Sequence, residues 1–267
     1  MLDKRVLVMG VLNVTPDSFF DGGQYASVQK AVEQALIMQE AGADIIDVGG
    51  ESTRPGAPFV SIGDEIKRVV PVIDAIRACS DIKISVDTSK AEVMRQAVSA
   101  GANIINDVRS LKGEGALGAA VELGVPVCLM HMQGEPVVMQ NKPQYESVVD
   151  EVLNDLMSQV KRCESAGMKK EQLWIDPGFG FGKNLRHNLS LLKHLTRFAD
   201  TGFPVLAGMS RKSMLGEILD VPVEGRLAGS LALASLAVMN GASIIRAHDV
   251  KETVHIVKVC EAVLSAE

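Results

Sequence analysis

The chain is poor in aromatic residues, which make up 4% of its 267 positions, with one Trp and two Tyr. Its core must therefore be aliphatic. With 47% hydrophobic residues, the length suits one large domain with a full core, and matches an α/β barrel of ~250 residues better than two smaller domains. An excess of basic charge is also missing. The formal net charge is −6, which gives no global reason to expect nucleic acid or an anionic membrane as a partner, so local basic residues must do any anion binding. Cysteine is sparse as well. Cys79, Cys128, Cys163 and Cys260 show no C-x-x-C spacing, which argues against a zinc site and a disulfide framework and fits a reducing cytosol. Met1 to Arg5 leads straight into a strand pattern without a charged leader and apolar run, and no apolar stretch is long enough to span a bilayer.

What the chain does have is a repeated strand-then-helix rhythm. Apolar runs predict strands at residues 6–14, 44–49, 82–86, 103–105, 126–130, 173–176, 204–207 and 243–245, with helical spacing between most of them, for example residues 27–41, 64–77, 145–166 and 189–199. Three helix-to-strand junctions repeat almost literally: AGADIIDV from residue 41, AGANIIND from 100 and NGASIIRA from 240. The glycine of each is expected to end a helix, and both isoleucines of each pair are expected to fill a barrel interior. Eight such units with right-handed crossovers close naturally into a single (β/α)8 TIM barrel spanning residues 1–267. A doubly wound open sheet would need a glycine fingerprint after the first strand. Gly10 with residues 13–17 does not supply one.

The strand ends carry the chemistry. The stretch LWIDPGFGFGK from residue 173 reads as a short buried strand ending at Asp176, then a glycine-rich turn closed by a lysine. Other strands end similarly: at Asn13, at Thr53 and Arg54, at Asp87, at Asn106 with Asp107, at His131, at Ser210 with Arg211 and Lys212, and at Arg246 with His248. Any one alone could be a helix cap or a solvated charge; many facing one mouth suggest a ligand site. Asp87, Asn106 and Asp176 suit a flat heterocycle with adjacent N–H groups. Arg246 and His248 beside Asn13 suit a phosphate group, with Asn13 offering a neutral oxygen to magnesium, and SRK after a strand and a glycine is an anion-binding arrangement.

NVTPDSF at 13, ESTRPG at 51, SVDTSK at 85, IINDV at 104, DPGFGFGK at 176, GMSRKS at 208 and RAHDV at 246 together resemble the dihydropteroate synthases of the bacterial type, over essentially the whole chain. The resemblance implies a (β/α)8 barrel, usually a homodimer, acting in folate synthesis. Such an enzyme joins 4-aminobenzoate to a dihydropterin methyl diphosphate, with Mg2+ assisting diphosphate release. Carried onto this sequence, it implies a pterin among Asp87, Asn106, Met130, Asp176, Phe181 and Lys212. The diphosphate and its metal fall to Asn13, Arg246 and His248, with Asn13 as metal ligand. The 4-aminobenzoate pocket falls to Phe19, Thr53, Arg54, Pro55, Phe181, Lys212 and Ser213, with Asp21 in loop closure. Phe20 stands where the family most often has serine, which removes any hydroxyl contact there. Asp87, Asp176, Lys212, Arg246 and His248 are the expected catalytic residues.

The mechanism implied is dissociative loss of diphosphate, with positive charge spread into the electron-rich ring, so leaving-group stabilisation is the central task. A pterin-dependent methyltransferase of the same superfamily would share the ring contacts but would not need Arg54, Lys212, Arg246 and His248 together. A non-catalytic pterin-binding paralogue is separated from both by a turnover assay. The loops TPDSFFDGG and ESTRPGAP lack a strand or helix period, so 4-aminobenzoate is expected to bind only after pterin and diphosphate.

Overall fold

The alternation read from the sequence is realised in the computed structural model, which describes residues 5–15, 23–52, 59–134 and 143–266. The strands are β1 (Leu7–Asn13), β2 (Ile45–Gly49), β3 (Lys83–Asp87), β4 (Ile104–Asp107), β5 (Val127–Met130), β6 (Leu173–Asp176), β7 (Leu206–Ala207) and β8 (Ile244–Ala247). Between and after them run α1 (Gly23–Glu40), α2 (Ile62–Arg77), α3 (Ala91–Ser99), α4 (Ala116–Leu123), α5 (Val148–Ser165), α6 (Leu185–Lys193), α7 (Thr196–Ala199), α8 (Ser213–Leu219), α9 (Leu227–Met239) and α10 (Val250–Leu264). The sheet runs β6-β5-β4-β3-β2-β1-β8-β7, and all its pairs are parallel. A single parallel bridge, Ile175 to Val205, joins β6 to the residues entering β7 and closes the ring. An open doubly wound sheet would leave those two edges unpaired, so the (β/α)8 expectation holds.

Two local outcomes differ from the sequence pattern. The helix expected over residues 189–199 starts earlier and splits, because the Asn184 side chain accepts the His187 N–H at 2.9 Å and caps α6, while His194 leaves helical geometry before α7. Helix α9 has no polar stripe: LAGSLALASLAVM is apolar on every side, so hydrophobic spacing carries no signal there.

The repeated junctions behave only partly as expected. Gly42, Gly101 and Gly241 take positive φ after their helices, in keeping with their helix-ending role. The isoleucine pairs do not both fill the barrel. Ile45, Ile104 and Ile244 cluster inside it with Met9, Cys128 and Leu206, whereas Ile46, Ile105 and Ile245 belong to the larger core between strands and helices. The reason is the two-residue alternation of a strand, which sends successive side chains to opposite faces. That parity also locates the site.

Candidate active site

Two residues beyond each inward-facing apolar side chain, the next inward position lies nearer the carboxyl mouth. Counting on from Ile45, Ile104, Cys128 and Ile244 gives Asp47, Asn106, Met130 and Arg246. Asp47 is a residue that the sequence reading passed over. The signal was present, because the three repeated junctions align Asp47, Asn106 and Arg246 at one position. In the structure these three are bonded together. Asp47 Oδ2 accepts from Arg246 Nε at 2.7 Å and from Asn106 Nδ2 at 3.1 Å.

Asp87, at the end of β3, joins the network by accepting from Arg246 Nη2 at 3.0 Å. It does not cap the following helix, whose cap position is Lys90. Burial and the neighbouring Asp47 charge push the Asp87 carboxyl up to about 7, against the pull of Arg246. Burial works against the Arg246 charge too, but Asp47 and Asp87 outweigh it and hold the guanidinium protonated. Asp107, adjacent in sequence to Asn106, faces the other way. It accepts from Ser89 and from the Arg109 and Leu111 N–H groups, so it serves the local turn and not the mouth.

The glycine-rich turn after β6 is fixed from every side. Asp176 Oδ1 accepts the Gly178 N–H at 2.7 Å, and burial raises the Asp176 carboxyl above its usual range although Lys212 opposes this. Gly178 has φ +70°, and a Cβ there would lie 1.9 Å from the His131 carbonyl oxygen; at Gly182, φ +62°, it would lie 2.4 Å from that of Gln133. Only glycine lets this turn press against the end of β5. Lys183 is 2% exposed, and its ammonium donates to the Gly178 and Phe181 carbonyls, each at 2.9 Å, and contacts His131 Nδ1 at 2.9 Å and the His131 carbonyl at 3.3 Å. Tyr145 Oη donates to the Gly182 carbonyl at 3.0 Å. His131 is thus an anchor for the turn and not part of the ring of mouth residues. Burial, with Lys183 beside it, pushes its pKa down to about 3, so it is neutral.

Lys212 reaches the same turn from beyond β7. Its ammonium donates to the Phe179 carbonyl and lies 4.6 Å from the Phe181 ring centroid. Burial lowers its pKa to about 8, although Asp176 favours the charge. Met130 pairs in register with Asp176, and its buried side chain borders Gly178. Asp87, Asn106, Met130, Asp176, Phe181 and Lys212 therefore lie around one mouth as expected.

On the other side, Asn13 ends β1. A Cβ built on Gly49 would lie 3.8 Å from Asn13 Oδ1 and 3.7 Å from Asp87 Oδ2, so these two oxygens flank one spot kept open by glycine. His248 is exposed just past β8; its N–H donates to Ser210 Oγ at 3.2 Å, and its Nδ1 lies 3.1 Å from the same oxygen. Ser213 is exposed at the start of α8. Arg211 turns away, with Nε 2.9 Å from Asp249 Oδ2. Phe19, Asp21, Thr53, Arg54 and Pro55 lie outside the described residues, as do most of the two loops that carry them. The described start of the second loop is anchored: Glu51 Oε2 lies 2.6 Å from the Lys90 ammonium, which also meets buried Glu65.

A (β/α)8 barrel whose carboxyl mouth sets three carboxylates and two amides against two cations is the layout of an enzyme that receives a flat, donor-rich ring beside an anionic group. The comparisons with known proteins agree. The pterin binding enzyme family matches residues 9–248. The dihydropteroate synthase of Escherichia coli K12 is 58% identical, over 97% of this chain and 92% of that protein. Two Xanthomonas albilineans dihydropteroate synthase structures superpose with TM-scores of 0.93 and 0.90, at 49% and 46% identity. They cover all of this chain and 95% and 96% of theirs; one is with 4-aminobenzoic acid and the other in complex with 7,8-dihydropteroate. The chain belongs to the pterin binding enzymes and, within them, to the dihydropteroate synthases, which are transferases of folate biosynthesis.

Proposed function

We propose that this chain condenses (7,8-dihydropterin-6-yl)methyl diphosphate with 4-aminobenzoate, giving 7,8-dihydropteroate and diphosphate. The observation that carries this reading is the convergence of Asp87, Asn106, Asp176 and Lys212 with Arg246 in one polar layer. Asp87 and Asp176 accept ring N–H groups and favour the cationic ring that forms as the C–O bond to diphosphate breaks. Met130 and Phe181 cover the ring's apolar surface, and Lys212 holds an acceptor of the ring. Arg246 and His248 bind the departing diphosphate. The arylamine attacks the exocyclic carbon as its neutral form, so no side chain has to act as base on it beforehand.

Asn13 suits a magnesium ion, because its neutral oxygen is a hard donor and this ion keeps most of its waters and takes further oxygens from substrate phosphates. When bound, the ion would neutralise charge on the leaving diphosphate. Phe19, Thr53, Arg54, Pro55, Phe181, Lys212 and Ser213 are the proposed contacts of 4-aminobenzoate, and Asp21 is proposed to act in loop closure.

A homodimer is supported by apolar side chains on two adjacent helices. Leu236 and Met239 are exposed at i,i+3 on α9, and Val259 and Val263 at i,i+4 on α10, apolar side chains that a second copy would cover. The four cysteines are unpaired, which suits the cytoplasm. Among the described residues no single helix is long and apolar enough to cross a membrane. Purified protein with both substrates is expected to form 7,8-dihydropteroate with magnesium and far less without it. Absence of product with all three components would overturn the enzymatic reading.

A further inference from the structure

Asp47 has no role in the reading above, yet it sits at the centre of the polar layer. It is fully buried on β2, and one of its oxygens, Oδ2, takes both the Asn106 amide and the Arg246 guanidinium. Among the described residues its other oxygen has no hydrogen-bond partner, and neither has the buried Ser85 hydroxyl on the neighbouring strand, the residue paired with Asp47 in the β2–β3 register.

A carboxylate held by a guanidinium can only accept hydrogen bonds, and the two ends of an amide have opposite polarity. Facing Asp47, Asn106 must therefore turn its nitrogen toward β2, which leaves its carbonyl oxygen as the end not committed to Asp47. An Asn106 without that partner could rotate about its last bond and offer either end.

We propose that Asp47 is a positioning residue that fixes the amide polarity of Asn106, so that the site demands an N–H donor from the ring bound against it. The proposal rests on the pterin reading and sharpens it. A pterin concentrates its donors on the pyrimidine edge, at N3–H and the 2-amino group, and a site whose amide cannot flip rejects a ring that offers a carbonyl there, because two acceptors would be left facing each other. The repeated junction supplies all three parts, with Asp47 as orienter, Asn106 as ring contact and Arg246 as the cation bonded to the same Asp47 oxygen.

The test compares calorimetric affinities for 6-hydroxymethylpterin and for its 2-oxo analogue. Bare rings are used so that loss of the Asp47 contact to Arg246 does not enter through the diphosphate. The unaltered protein is expected to prefer the amino ring, and Asp47→Leu to reduce that preference by about tenfold or more. Asp47→Asn, which can keep one acceptor oxygen toward Asn106 and Arg246, should retain most of it. The double variant Asp47→Leu/Asn106→Asp should recover the preference, because both ends of an aspartate accept and its orientation no longer matters; a purely structural role for Asp47 predicts no such recovery. A folded Asp47→Leu with unchanged preference, or a folded double variant without recovery, overturns the proposal. Should Asp47→Leu not fold, Asp47→Ser takes its place, since a hydroxyl accepts or donates and frees the amide; unchanged preference there overturns it equally. Failure of the unaltered protein to bind either ring overturns the pterin reading itself.

Discussion

Lys183, which is buried, and Lys212, which is half-buried, are cations gripping the same glycine-rich turn, and they differ in how fully they are satisfied. Lys183 has three hydrogens and four acceptors around it, from Gly178, Phe181 and His131. Lys212, among the described residues, donates to the Phe179 carbonyl and otherwise rests against the Phe181 ring. Burial lowers both, to about 7 and about 8, with Asp176 opposing the shift in each case. A cation whose hydrogens are all committed to the protein holds a loop in place. One with hydrogens to spare, at a mouth, can hold a ligand.

The largest expected effect breaks the first half of that contrast. Lys183→Met removes the ammonium from the Phe181 and His131 carbonyls and from His131 Nδ1, and leaves the Gly178 carbonyl with the Phe181 N–H, and should lower the unfolding free energy by ~3 to 5 kcal/mol; a denaturant titration matching the unaltered protein would show that the ammonium does not hold the turn. Asp176 serves both lysines and the Gly178 N–H. Asp176→Asn should weaken pterin binding by ~2 to 4 kcal/mol, because it presents a donor where ring donors arrive, and unchanged calorimetric affinity would remove Asp176 from the site. Lys212→Met should weaken pterin binding by ~1.5 to 3 kcal/mol, a charged hydrogen bond's worth, while leaving unfolding nearly unaltered. If its stability fell as far as that of Lys183→Met, the two lysines would have the same role and the contrast would collapse.

The pH dependence sharpens it further. Lys183 is lowered on folding from 10.5 to about 7, so the unfolded chain binds more protons between those values and stability rises with pH across that window, by at most ~1.4 kcal/mol per unit for one group. Methionine at this position does not titrate. The stability gap between the unaltered protein and Lys183→Met should therefore widen from pH 7 to pH 9, and a constant gap would show that Lys183 does not change its charge there. Asp87 runs the opposite way: raised from 3.8 to about 7, it stabilises the fold below 3.8 and loses that contribution as pH rises through about 7. The smallest effect belongs to Tyr145→Phe, which removes one hydrogen bond to Gly182 and should cost about 1 kcal/mol of stability without altering pterin affinity.

Much of this was legible in the chain, and the misses have physical reasons. Short apolar runs revealed the strands, and helical spacing most of the helices, because burial is a local demand on sequence, and α9 escaped because a helix apolar on all sides has no stripe to read. Asp87, Asn106, Asp176, Lys212 and Arg246 were readable as strand ends. His131 looked equivalent to them, but its ring is committed to Lys183. Asp107 looked equivalent to Asn106, but one residue along a strand reverses the face.

The sequence by itself determined the alternation of elements, the glycines without which the turn after β6 could not press on β5, and the three aligned positions 47, 106 and 246. Only the tertiary structure decided that those positions touch. Parallel strands from distant parts of the chain meet at a stagger set by closure of the whole ring, here completed by the Ile175–Val205 bridge, and no local pattern encodes that stagger. A shift of one residue in β2 would have turned Asp47 out among the helices and left both Arg246 and Asn106 without the partner that orients them.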